Sequence, residues 1–292
     1  LDKQTNKFVS YIHQGNDRKS LSSTHIRTIF VENDSIIWLG MRGGGLSKFN
    51  TVNETFQHFK ATNEPNSLTS DDINCFLPVN DSIFYIGTER GGLCEFNKNT
   101  ASFKSFKSLA GKTISYVHVD AYNTIWAGIW DDGLYKMGFN DSKFNRVNIL
   151  NDEVWTPKDI KEDAEGEFWI GTFGQGLIKY NSNAVNWTSR SKTDYLFVTV
   201  ETINDIYCDD VNNLWIATKD GLGIFNRKLQ KTALISYTYE DGSKSNKNVY
   251  AIIKSDNGRL FIIDQNYFGY LDIKNKQLNR IGRNQIKTPS KL

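Results

Sequence analysis

Every 41 to 47 residues the chain returns to one short pattern: an aliphatic or aromatic residue, an aromatic, an aliphatic and a small residue, with Gly-Leu a few positions on. The copies are Ile37-Trp38-Leu39-Gly40, Phe84-Tyr85-Ile86-Gly87, Ile125-Trp126-Ala127-Gly128, Phe168-Trp169-Ile170-Gly171, Leu214-Trp215-Ile216-Ala217 and Leu260-Phe261-Ile262-Ile263. Their fourth positions lie 47, 41, 43, 46 and 46 residues apart. A period of this size, with no helical periodicity inside it, points to stacked β units and away from a helical solenoid.

Each period reads as four short strands. The first is apolar and alternating, as in Ile26–Val31, Ile73–Leu77 and Val249–Ile253. A turn rich in Asn, Asp and Gly follows, such as Glu32-Asn33-Asp34-Ser35, Asp163-Ala164-Glu165-Gly166 or Ser255-Asp256-Asn257-Gly258. Such residues suit a tight hairpin. The signature is the second strand, where the small residue lets neighbouring sheets approach and the aromatic fills the wedge between them. The third strand opens on Gly45-Leu46, Gly92-Leu93, Gly133-Leu134, Gly176-Leu177, Gly221-Leu222 and, altered, Gly269-Tyr270; the fourth is more polar, as in Thr55–Phe59. Four antiparallel strands per repeat make a β-propeller blade.

The expected fold is therefore an all-β propeller of six complete blades plus an outer half-blade, a seven-bladed ring completed by sequence outside this chain. Residues 1–18 read as the outer part of the incomplete blade, with Lys7–Tyr11 as its fourth strand. Six repeats span 19–60, 61–106, 107–148, 149–190, 191–238 and 239–282, and 283–292 reads as a truncated connector.

Two local features go beyond a generic blade. One is the Trp-Ile-Gly-Thr-x-x-x-Gly-Leu pattern, clearest over Phe168–Asn181; the other is the connector Asn66-Ser67-Leu68-Thr69-Ser70-Asp71-Asp72-Ile73, echoed by Lys19–Ile26. Both resemble the two-component regulator propeller repeat, over nearly the whole chain. The chain resembles part of the periplasmic sensor region of a Bacteroidetes hybrid two-component histidine kinase. The resemblance implies recognition of an oligosaccharide, signalling to glycan-utilisation genes through a homodimer, and a second propeller and downstream domains in the same chain. It also implies a periplasmic location. Ala217, Phe261 and Asp264 depart from the pattern, in the fifth and sixth copies.

Thirty-five basic against 33 acidic residues, without charge runs, give no footprint for nucleic acid or a membrane surface. Cys75, Cys94 and Cys208 each lie in an apolar strand pattern and read as small core residues. His13, His25, His58 and His118 have no metal-ligand spacing, and Ala110-Gly111-Lys112-Thr113 lacks both the first Gly and the following helix of a phosphate loop. No cofactor, metal or catalytic set is expected in this segment.

The turns between second and third strands vary while the strands repeat. Their residues Arg42, Arg90, Trp130, Asp131, Phe173, Lys219 and Tyr267 combine aromatic faces with planar and charged donors. That chemistry suits a sugar, whose C–H face stacks on aromatics and whose hydroxyls pair with polar groups. Trp130 is the strongest candidate, followed by Trp155 and Trp187. Solvent exposure alone also selects polar, varied loop tips. Two other classes stay open: a propeller-type lyase or other carbohydrate-active enzyme, which needs a base and a basic partner converging at one mouth, and a ligand-free interaction scaffold.

Overall fold

The computed structural model describes residues 9–281, except 16, 18, 139, 150–153, 164, 182–201, 210–212, 227, 229–230, 246–247 and 256–258. The architecture is all-β, with one 3-10 turn at Lys107–Leu109 among the described residues. Sheet 1 runs β1 (Ile26–Asn33), β2 (Ile36–Met41), β3 (Gly45–Asn50), β4 (Thr55–Phe59); sheet 2 runs β5 (Ile73–Pro78), β6 (Ile83–Thr88), β7 (Gly92–Asn97), β8 (Ser102–Ser105). Sheet 3 contains β9 (Ile114–Val119), β10 (Ile125–Ile129), β11 (Gly133–Met137) and β12 (Asn145–Val147), and sheet 4 contains β13 (Thr156–Glu162), β14 (Glu167–Phe173) and β15 (Leu177–Asn181). Sheet 5 comprises β16 (Ile203–Cys208), β17 (Asn213–Thr218), β18 (Gly221–Asn226) and β19 (Lys231–Ile235).

The sixth sheet differs from the expected four strands. Beside β22 (Val249–Lys254), β23 (Leu260–Asp264), β24 (Phe268–Asp272) and β25 (Gln277–Arg280), the hairpin β20 (Tyr237–Tyr239) and β21 (Lys244–Ser245) joins its outer edge, β20 pairing parallel with β25. Connector residues thus cover a sheet edge that would otherwise offer unpaired backbone groups. A smaller version occurs at sheet 2, where the connector carbonyl of Asn66 accepts from Phe103 N at 2.9 Å. At the start of the chain, Val9–Tyr11 belong to no strand, in contrast to the expected strand over 7–11, whose first two residues lie outside the described set. Instead the Tyr11 ring packs on Phe49, with centroids 4.7 Å apart.

The chain forms two compact units, one of residues 11–157 and one that takes up the polypeptide again at Lys158. Within each, one joint recurs. A Cβ built on Gly40 would lie 2.7 Å from Ile73 Cγ2 of the next sheet, on Gly87 2.6 Å from Ile114, on Gly128 2.9 Å from Pro157 and on Gly171 2.6 Å from Ile203. The small residue of the signature is thus the hollow that receives a residue at the start of the following sheet, the first of its strand for Ile73, Ile114 and Ile203 and the second for Pro157. Directly after that residue the first strands of sheets 1, 2, 3, 5 and 6 carry a bulge, between Ile73 and Cys75 for example. The bulged side chain is freed from the ladder and reaches forward. Asn74 Nδ2 donates to Ile114 O (2.9 Å), Ser115 Oγ to Pro157 O (2.6 Å) and Asn204 Nδ2 to Val249 O (2.7 Å).

The signature tryptophans are fixed by an acid six residues earlier. Trp38 Nε1 donates to Glu32 (2.6 Å), Trp126 to Asp120 (2.9 Å), Trp169 to Asp163 (2.7 Å) and Trp215 to Asp209 (3.0 Å). Where the aromatic is Tyr85 or Phe261, the sixth residue back is Val79 or Ser255, so the acid accompanies the indole N–H. Lys48, Lys136 and Lys179, cross-strand partners of three of these indoles, lay their ammonium groups over the rings. Trp126→Phe keeps the apolar fill but strips a donor from the buried Asp120 carboxylate. A loss of about 1–3 kcal/mol is expected in urea unfolding, and the double variant with Asp120→Asn should recover part of it. A double variant no better than the sum of its singles would contradict this coupling.

Cys94 is buried as expected, whereas Cys75 and Cys208 are only partly so. Burial pushes the Cys94 thiol up, against hydrogen bonds from Thr69 that act the other way, which leaves it unreactive.

Candidate functional site

The tip residues sit on turns whose backbone is held from two sides. In sheets 1, 2, 3, 5 and 6 the turn is tied to the start of its own first strand: Arg42 N donates to His25 O (2.9 Å), Glu89 N to Asp72 O (2.8 Å), Trp130 N to Thr113 O (2.9 Å), Lys219 N to Thr202 O (3.3 Å) and Gln265 N to Asn248 O (2.9 Å). The following glycine is tied to the connector entering the next sheet, as in Gly45 N to Asp71 O, Gly92 N to Lys112 O and Gly133 N to Trp155 O, all 2.9 Å. In each unit the tips of successive sheets therefore lie at the end where the connectors run.

Arg90 (φ 60°) and Asp131 (φ 55°) occupy the left-handed region. Side chains there cost roughly 1 kcal/mol or more, and threonines at the entry to the next sheet offset the strain. Arg90 N donates to Thr113 Oγ1 (3.1 Å), and Asp131 N to Thr156 Oγ1 (2.9 Å), which in turn donates to Asp131 Oδ1 (3.2 Å).

Arg42, Arg90, Trp130, Asp131, Phe173 and Lys219 are exposed, Trp130 at 42%. In the unit of residues 11–157, Arg42, Arg90 and Trp130-Asp131 stand on three successive sheets; Phe173, Lys219 and Tyr267 do so in the other. Tyr267 is of a different kind. It is half-buried, its ring 4.8 Å from that of Tyr239 and 4.3 Å from the Arg280 guanidinium, so it is packed into sheet 6. Trp155 is buried with its indole against Gly133, and Trp187 lies outside the described residues.

Beside Trp130 stands a charged group that sequence reading missed. Asp132 accepts from Lys112 Nζ (2.5 Å) and Tyr135 OH (2.9 Å) and lies 3.4 Å from Arg146 Nε. Burial works to raise the Asp132 carboxyl, but these donors outweigh it and hold it below its ordinary value; the hydrogen bond to Asp132 raises Lys112. Both stay charged. Two further clusters also escaped notice. Asp264, standing where sheets 2, 4 and 5 have Thr88, Thr172 and Thr218, is buried and accepts from Tyr237 OH (2.8 Å) and Tyr239 OH (2.7 Å). On the inner strands of sheets 4 to 6, Asp159 Oδ2 accepts from Ile206 N (2.8 Å) and Asp205 Oδ2 from Ile252 N (2.8 Å), while Lys161 Nζ donates to Asp159 (3.0 Å). Spacing gave one clue: Asp159 and Asp205 are 46 residues apart, at the same place in consecutive repeats.

These sheets, joined first strand to signature strand and carrying, within each unit, variable tips at the connector end, define an all-β repeat protein with loop-borne chemistry. No family model matches the chain. A histidine kinase of Formosa agariphila is 30% identical over 231 residues, which are 76% of this chain and 14% of that protein. The extracellular domain of a putative hybrid two-component system from B. thetaiotaomicron superposes with a TM-score of 0.72 at 20% identity, over 87% of this chain and 34% of that one. PorZ, a surface component of the type-IX secretion system of Porphyromonas gingivalis, has a TM-score of 0.61 at 15% identity, over 89% and 39%. The chain is thus similar in sequence to a histidine kinase and in fold to an extracellular domain of a Bacteroidetes hybrid two-component system. It spans about a seventh of the kinase and a third of the solved chain. Among the described residues, no helix is long and apolar enough to cross a membrane.

Proposed function

We propose that this chain is a ligand-sensing propeller segment of the extracytoplasmic part of a hybrid two-component sensor kinase, non-catalytic itself, and that its ligand is an oligosaccharide. The observation that carries the sensor reading is the 30% identity to a histidine kinase across 76% of the chain. The four-stranded sheets are the blades of a seven-bladed ring that sequence outside the chain completes. The receptor works in the periplasm as a homodimer, with a second propeller and downstream domains reporting to glycan-utilisation genes.

The sugar reading is supported by the tips. Trp130 offers an exposed aromatic face on a backbone pinned by Thr113 and Thr156, beside the Asp131 carboxylate and the Lys112–Asp132–Arg146 group. Ordering such a tip costs little on binding, because the turn is already fixed. Calorimetry of the receptor's extracytoplasmic region against a panel of neutral and acidic oligosaccharides tests it. At least one member should bind, and Trp130→Ala should weaken that binding about tenfold, equivalent to 1.4 kcal/mol. Binding that Trp130→Ala, Arg42→Ala and Arg90→Ala all leave untouched would move the site off these tips. A panel with no binder would remove the sugar reading.

A further inference from the structure

In the unit of residues 11–157 the three tips are built alike. Each is a three-residue turn, 42–44, 89–91 and 130–132, and its middle residue is left-handed, with φ of 66° at Gly43, 60° at Arg90 and 55° at Asp131. Each middle amide is caught by a side chain at the entry to the next sheet: Gly43 N donates to Asp72 Oδ1 (2.8 Å), as Arg90 N and Asp131 N do to Thr113 and Thr156. Glycine adopts this conformation freely, and aspartate is one of the few other residues enriched in it. Arginine is not. Sheet 1 closes the same turn with glycine, so nothing in the turn itself asks for the Arg90 side chain.

The surroundings leave that side chain uncommitted. Glu89, the acid next to it, is taken by Arg27, whose Nη1 and Nη2 lie 3.2 and 3.3 Å from its Oε2. Arg27 sits at the bulge of β1, from which it also donates to Asn74. Among the described residues, Arg90 has no ion pair of its own.

The next tip adds to the same charge. Lys112, whose carbonyl holds Gly92 N at the end of the Arg90 turn (2.9 Å), sends its ammonium to Asp132, and Arg146 shares that carboxylate. Two cations on one acid leave a positive charge over. With Asp131 set against Arg90 and the Arg27–Glu89 pair cancelling, the two tips together carry one positive charge in excess. Trp130 stands exposed on the second of them. Sheets packed face to face lie about 10 Å apart, so Arg90 and Trp130 fall within the length of one short oligosaccharide.

From this we infer that the oligosaccharide is acidic and that Arg90 is the residue that selects it: a carboxylate or sulfate ester on one sugar pairs with the Arg90 guanidinium while the face of a neighbouring sugar lies on Trp130. The guanidinium fork matches the paired oxygens of either group. The inference rests on the reading of these tips as a sugar site and narrows that reading to one class of ligand.

Calorimetry on the full-length gene product tests it, with uronate oligosaccharides, sulfated oligosaccharides and the carboxyl-reduced or desulfated form of each. An acidic member should bind, its neutral form about tenfold more weakly, and added salt should weaken the acidic member alone. Arg90→Gly should cost the acidic member about tenfold as well and the neutral form nothing, so that losing the anion and losing Arg90 together cost no more than either alone. The form that loses binding, reduced or desulfated, names the group. In the 292-residue chain, Arg90→Gly should hold the Tm or raise it by about 2 °C, because glycine relieves the turn. Three outcomes overturn the inference: a neutral form that binds as tightly as its acidic parent; additive costs for the anion and for Arg90; and a fall in Tm of about 3 °C or more for Arg90→Gly, which makes the side chain structural. Each of these leaves the sugar site standing without its charge preference, whereas a panel in which neither form of any member binds removes the sugar reading itself.

Discussion

Asp264→Ala is expected to lower stability by about 3–5 kcal/mol and to loosen the sixth sheet first. The carboxylate is buried and takes five donors: the hydroxyls of Tyr237 and Tyr239 at 2.8 and 2.7 Å and, longer, that of Ser245 at 3.5 Å on one oxygen, and the amides of Asn266 and Tyr267, both at 2.8 Å, on the other. Alanine leaves the two buried phenols and the turn amides unpaired, at about 1–3 kcal/mol for each group that water cannot reach. Burial raises the Tyr237 phenol above its ordinary value, so the hydroxyl remains a donor at any pH the cell meets. The network ties the β23–β24 turn to the β20–β21 hairpin. Hydrogen exchange should therefore quicken at Asn266, Tyr267 and Tyr239 before it does in sheet 5. Asp264→Asn, which retains one acceptor, should fall between the two. A loss below about 1 kcal/mol for Asp264→Ala in urea unfolding would contradict the account.

The second large effect is one of pH. Burial, then the neighbouring charge of Asp159 and a hydrogen bond with it, raise the Asp205 carboxyl from 3.8 to about 7, against the opposing amide of Ile252 and Lys161. The geometry explains the conflict, because Asp159 Oδ2 and Asp205 Oδ1 converge on the single amide of Ile206, at 2.8 and 3.0 Å. Two carboxylates sharing one donor in a buried setting favour keeping a proton between them. A group whose folded pKa lies above its unfolded value stabilises fully below the unfolded value, and that stability is lost as pH rises through the folded value. Asp205→Asn imitates the protonated form and removes the dependence. The variant should match the parent near pH 4 and exceed it by about 2–4 kcal/mol above pH 7.5, with the gap opening between. Parallel stability curves for parent and variant across that range would exclude the shared proton.

The fold was legible because each repeat writes its strands twice, in alternation and in the Gly and Asn that close them. Gly40, Gly87, Gly128 and Gly171 could be read as points of close approach from their position alone, and the hollows they form bear this out. The β20–β21 hairpin was not legible: Tyr237-Thr238-Tyr239 alternates like any outer strand, and only Asp264, far along the chain, gives the two phenols an acceptor. Reading Asp264 as a departure from Thr missed that an aspartate caps the same turn with its other oxygen. The candidate tips were found by where they vary, and exposure separates them afterwards. Tyr267 looks like its fellows in sequence, yet Arg280 and Tyr239 hold its ring on both sides. The Lys112–Asp132–Arg146 group was invisible because its members come from a connector, a turn and an outer strand, and no local spacing links them.

The hollow at the end of each signature strand has a consequence for how such a chain diverges. Its size is settled by the first residue of the following repeat, so neither residue drifts alone: a larger side chain in one demands a smaller one in the next. Within this chain the fifth sheet follows that rule, with Ala217 in place of glycine and the smaller Val249 in place of isoleucine, both buried in one cluster. Ile263, partly exposed in the place of a glycine, shows the constraint relaxed at the last of the six sheets.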